Sequence, residues 1–90
     1  MKVENLTSQH GNSIANQFEI TDDAGNVFFQ SHDSVIGKRP ADRSQPIQLD
    51  ELYWDYSVTT GKYRNQWLGI DKRETERRIA DGRIVLTNLN

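Results

Sequence analysis

The stretch from Tyr53 to Thr87, YWDYSVTTGKYRNQWLGIDKRETERRIADGRIVLT, decides the fold, because the chain changes its period here. Ser57 can cap a helix running from Val58 to Leu68, and Gly69 stands where a helix places its left-handed C′ residue. Tyr63 and Trp67 lie four apart and share one stripe, whereas Arg64 sits about 100° around the helix and is expected to face outward. A second helix is marked by Asp71-Lys72-Arg73-Glu74, which has the spacing of a capping box, and Gly82 ends it. Ile79 and Ala80 give it a narrow apolar stripe. Arg83-Ile84-Val85-Leu86-Thr87 is short, apolar and β-branched, and reads as a strand.

Upstream of this stretch the signal is alternation. Gln17-Phe18-Glu19-Ile20-Thr21 alternates as a half-buried strand. Asp22-Asp23-Ala24-Gly25-Asn26 supplies turn chemistry, and Val27-Phe28-Phe29-Gln30 returns as the second arm of a hairpin. After the turn at His32-Asp33, Ser34-Val35-Ile36-Gly37 is a third strand. Lys38 to Pro46, flanked by Pro40 and Pro46, is a loop. Ile47-Gln48-Leu49 is a candidate fourth strand. Residues 1–15 are polar, with only Leu6 and Ile14 to anchor them, and read as a loose arm that can add a short strand. Residues 16–90 then form one domain.

Strands grouped ahead of helices predict an α+β fold. The expected sheet is small and mostly antiparallel, with four to five strands in the order β-β-β-(β)-α-α-β. The helices should cover one face with Tyr63, Trp67, Leu68, Ile70 and Ile79 inward, and the last strand must return to the sheet. The chain has 90 residues, 34% apolar and 27% charged, with three Phe, three Tyr and two Trp. Such a chain buries only roughly 60–65% of its unfolded surface, so its core is thin.

The same counts narrow the function. No apolar run reaches a membrane span, and Met1 to Ile20 lacks an apolar h-region, so neither a span nor a signal peptide is expected. The absence of Cys removes thiol nucleophiles, disulfides and thiolate metal sites. The cytosol is the expected compartment. The net charge is −2 but uneven: residues 1–60 carry four Lys/Arg against nine Asp/Glu, and residues 61–90 carry seven against four. The basic C-terminal part is either a solvated helix face or a patch for an acidic partner or phosphate backbone.

Enzymatic chemistry finds little support. Thr60-Gly61-Lys62 is not a phosphate loop, because Tyr56 and Tyr63 occupy the places that need a Gly and a Ser or Thr. His10 and His32 have no partner at ligand spacing, so no metal is expected, and no other cofactor either. Asp50, Glu51 and Asp55 cluster before a helix start, where the dipole favours acids. Ser57, Thr59 and Thr60 have no His nearby to activate them. The expectation is a non-enzyme.

The densest chemistry lies in Tyr53, Trp54, Tyr56, Lys62 and Arg64, with Arg73 and Arg77 four apart on the next helix. One reading makes the aromatics core with satisfied polar tips. The other makes them a recognition surface, since aromatics and Arg dominate interface hot spots. The same residues would suit stacking on single-stranded nucleic acid. Glu74 and Arg78 form a favourable i,i+4 pair that would leave less charge free.

Residues 53–69 also resemble a family of small proteins carried by bacteriophages, prophages and other mobile elements. The core of the likeness is Tyr56-Ser57-Val58-Thr59-Thr60-Gly61-Lys62-Tyr63. It extends to Asn16-Gln17-Phe18, Phe28-Phe29-Gln30-Ser31, Lys72-Arg73-Glu74-Thr75-Glu76 and Leu86-Thr87-Asn88-Leu89-Asn90, and so covers most of residues 16–90. A Phe is usual where Trp67 stands. The resemblance transfers no mechanism, but it implies an accessory protein of a mobile element acting in the bacterial cytosol. The expected function is a binding module for a host or phage protein, one version being an inhibitor of a host defence system. The alternatives are a nucleic-acid-binding accessory protein using the same surface and a self-associating structural component.

Overall fold

The computed structural model describes residues 1–90. The elements, in chain order, are β1 (Lys2–Thr7), β2 (Ser13–Thr21), β3 (Val27–Ser31), β4 (Ser34–Arg39), β5 (Ile47–Asp50), α1 (Val58–Leu68), α2 (Lys72–Ala80) and β6 (Ile84–Thr87). This is the expected α+β arrangement with one strand more. All six strands form a single sheet in sequential order, antiparallel from β1 to β5. The one parallel pair is β5–β6, with Ile47 opposite Ile84 and Leu49 opposite Leu86. It follows from the crossover: parallel strands need a long connection, and α1 and α2 supply it.

The additional strand comes from the polar arm. Lys2–Thr7 pairs with β2 from Lys2 opposite Thr21 to Thr7 opposite Ser13. Leu6 is buried and Ile14 packs against the same core. Most of β1 is exposed, so its order rests on backbone pairing rather than on apolar burial. Asn16 lies within β2 with φ 63°, a conformation that Asn tolerates better than most residues. Its carbonyl accepts the His32 N–H at 2.7 Å.

The central core is Leu6, Phe29, Ile36 and Trp67, flanked by half-buried Tyr53, Tyr63 and Leu68. Trp67 lies inward as expected, stacked on Phe29 with ring centroids 5.8 Å apart. Gly37 makes room for it: a Cβ there would fall 2.6 Å from the Trp67 ring. A hydrogen bond between Ser31 Oγ and Thr60 Oγ1, 3.1 Å and fully buried, also ties sheet to helix.

Three expectations are corrected. Arg64 does not face outward; it is 1% exposed. Thr60, Arg64 and Trp67 follow i, i+4, i+7 and together make the inward face of α1. In α2, Thr75 is the buried residue; Ile79 is only half-buried and Ala80 is exposed. The capping box at Asp71 is half-formed. Asp71 Oδ1 accepts the Glu74 N–H at 2.8 Å, but the Glu74 carboxylate turns to Arg78 and Arg77 at 2.8 and 3.2 Å.

Candidate functional site

The loop between β5 and α1 is anchored at its base by Asp50, which is 1% exposed. Its Oδ2 accepts the N–H groups of Leu52 and Tyr53, and its Oδ1 accepts that of Leu89 from the C-terminal tail. Burial pushes this carboxyl upward, but the hydrogen bonds outweigh it and hold the pKa below the ordinary aspartate value. The aromatic segment therefore starts from a fixed point.

Beyond Asp50 the segment splits between core and surface. Tyr53 packs on the core, with its ring edge-on to Tyr56 at 5.6 Å. Trp54 is half-buried and lies under the Arg64 guanidinium, 5.1 Å from its centroid. Tyr56 is 47% exposed, Leu52 74% and Val58 91%. Ser57 then caps α1, its Oγ accepting the Thr60 N–H at 3.1 Å.

Arg64 explains the shape of the loop. Its Nη1 donates to the Trp54 carbonyl at 2.8 Å and to Asp55 Oδ1 at 3.0 Å, and its Nη2 donates to Asn65 Oδ1. Gly61 lies against the guanidinium, where an added Cβ would stand 3.7 Å from both terminal nitrogens. Asp55 also binds Lys72 at 2.7 Å through Oδ2, so one carboxylate joins the loop to both helices. Burial opposes the Asp55 charge, but the bonds from Lys72 and Arg64 win and keep its pKa low. The same contact raises the Lys72 pKa.

These residues surround a cleft of about 680 Å3. Asp55, Arg64, Asn65 and Lys72 form its polar side, and Tyr56 and Val58 supply its apolar side. Ser57, Gly61 and Lys62 complete it. Of the residues expected to bind, Tyr56, Lys62 and Arg64 are brought together here. Tyr53 and Trp54 are half-buried and outside its lining, and Arg73 and Arg77 are exposed on α2, also outside it.

Sequence reasoning did not find Asp55 as the link between Arg64 and Lys72. Nor did it find the exposure of Leu52 and Val58. The nearest signal was the acid cluster Asp50-Glu51-Asp55, which in isolation matches only a helix-dipole preference.

Five of the seven cations after residue 60 are in ion pairs. Arg64 and Lys72 share Asp55, and Arg77, Arg78 and Arg83 converge on Glu74, with Arg83 also on Asp81. Lys62 and Arg73 have no carboxylate partner. The Lys62 ammonium lies 5.3 Å from the Tyr63 ring centroid. No helix is long and apolar enough to cross a membrane.

A family model described as a family of unknown function (DUF8033) matches residues 1–83. No curated protein and no solved structure matches the chain.

Proposed function

The chain belongs to this family of unknown function, and from its geometry we propose a non-enzymatic binding module that recognises a protein through the cleft beside α1. The observation that carries this reading is the exposure of Tyr56 and Val58 in the cleft, with Leu52 exposed just ahead of it, where a loop held by Asp50, Asp55 and Arg64 runs into the first residue of α1. Apolar side chains presented by a rigid loop make contact at low ordering cost. The resemblance to small phage and mobile-element proteins supports a partner from a bacterial host or from the phage itself. Inhibition of a host defence protein in the cytosol is the concrete version of that role.

Nucleic-acid binding ranks second because ion pairing consumes most of the basic charge. With Lys62 and Arg73 unpaired, phosphate neutralisation by this region would give a slope of log K against log salt of only about −2. Recovery of partners from a bacterial host lysate, with and without nuclease, tests the reading. The wild type is expected to hold the same protein in both arms, and Val58→Asp is expected to lose it. An Asp at this first helical position suits the helix dipole, so loss of the partner would not reflect loss of the fold. Capture that nuclease abolishes, or that Val58→Asp leaves intact, would overturn the proposal. Sedimentation of the free protein covers the self-association alternative, for which a concentration-dependent oligomer is the signature.

A further inference from the structure

The polar side of the cleft has a surplus of positive charge. Arg64, Lys72 and Lys62 line it against the single carboxylate of Asp55, both of whose oxygens are already engaged. Arg64 is buried to 99%, and its Nε has no hydrogen-bond partner. Lys62 also lines the cleft; its ammonium lies over the Tyr63 ring and meets no carboxylate. The first turn of α1 contains no acidic residue. Ser57 satisfies the Thr60 N–H, while those of Val58 and Thr59 have no acceptor. Cationic side chains and free first-turn N–H groups at one place favour an anion. Tyr56 and Val58, on the other side, favour an apolar group next to it.

We infer that the cleft takes an acidic peptide segment of the protein partner: a Glu or Asp carboxylate held by Lys62 and the start of α1, with a neighbouring apolar side chain against Tyr56 and Val58. The inference rests on the partner reading above and specifies its chemistry. A carboxylate fits better than a nucleic-acid backbone because one unpaired lysine beside an apolar wall matches a single charge, not a run of phosphates.

An NMR titration of the full chain at low salt tests it, with the peptide acetyl-Glu-Leu-Glu-Phe-amide, its Gln-for-Glu counterpart, and inorganic phosphate as probes. The Glu peptide should shift amide resonances over residues 57–62 and bind about fivefold or more tightly than the Gln peptide, as a charge-assisted contact implies. Lys62→Gln should remove that difference and Lys62→Arg should keep it. Both changes are at an exposed position, and unchanged resonances elsewhere show that the fold survives. Equal binding of the two peptides, shifts that map away from α1, or a response to phosphate without one to the Glu peptide would overturn the inference. The two readings fail separately. Partner capture lost in Val58→Asp but retained in Lys62→Gln removes the acidic anchor and leaves the protein-binding module standing. Capture retained in both removes both.

Discussion

Arg64 carries a full charge into a site where 1% of its surface meets solvent. A guanidinium can be held there because its fork reaches the Trp54 carbonyl, Asp55 and Asn65 at once while its central carbon lies over the Trp54 ring. Removing one partner of a buried ion pair typically costs about 3–5 kcal/mol. Asp55 keeps Lys72, so Arg64→Ala should cost about 3 kcal/mol in urea unfolding, at the lower end of that range. A Lys would not restore it, since one ammonium cannot serve three acceptors in fixed directions. Trp67→Ala should cost roughly 3–5 kcal/mol through the cavity it leaves. Gly37→Ala tests the same contact from the sheet, since its Cβ would stand 2.6 Å from the Trp67 ring and 3.1 Å from Leu49. Overpacking of that kind costs about 1–3 kcal/mol. An Arg64→Ala protein as stable as the wild type would show that the guanidinium does not hold the loop.

Among the elements, the helices are the most dependent on local signals. Ser57 caps α1 and Gly69 closes it with φ 76°, and replacing Ser57 by Ala should lower stability by about 1 kcal/mol. Thermal unfolding of that variant, with Thr59→Ala as an uncapped control nearby, measures it. These ends were legible because a cap is a property of three or four consecutive residues. The strands with alternating apolar residues were legible for the same reason. β1 was not, because it is held by hydrogen bonds to β2, and Lys2-Val3-Glu4-Asn5 carries little apolar pattern. The parallel pairing of β5 with β6 was not legible either, because it depends on where the two-helix crossover lands. The site was half-legible. Tyr56, Lys62 and Arg64 were found as residue types, but the inward turn of Arg64 depends on Asp55, nine residues away, and periodicity alone places a charge in water. Glu74 shows the same limit: its spacing fits a capping box, yet three arginines compete for the carboxylate.

At the scale of the whole molecule, the principal dimensions of 35 × 30 × 22 Å fit a sheet with a helical layer on one face. The central core cluster has four buried apolar side chains, and long-range polar ties add to it. Asp50 is the widest of them, joining β5, the aromatic loop and the C-terminal tail, and Asp55 joins that loop to both helices. Both carboxyls titrate below the ordinary value near 3.8 in the folded protein, because their hydrogen-bond and ionic partners outweigh burial. The unfolded chain therefore binds more protons than the folded one as pH falls through that range, and stability must fall with it. Their contribution is complete above the unfolded value and is lost as pH drops through it towards the lower folded values. Urea midpoints should thus stay level with respect to these two groups from pH 7 to about 5 and decline below about 4. Asp50→Asn should begin lower at pH 7, because an amide cannot accept three N–H bonds as a carboxylate does, and should decline less steeply in acid. Asp22, Asp42, Glu74 and Asp81 also titrate low, but solvent screens exposed charges and leaves them a small share of the slope. Because Asp50 and Asp55 tie down the loop that carries Tyr56, acid should loosen the cleft along with the fold. The Asp50→Asn protein is the deciding case: a midpoint equal to that of the wild type at pH 7, with the same acid slope, would mean that the buried carboxylate does not tie the loop to the tail.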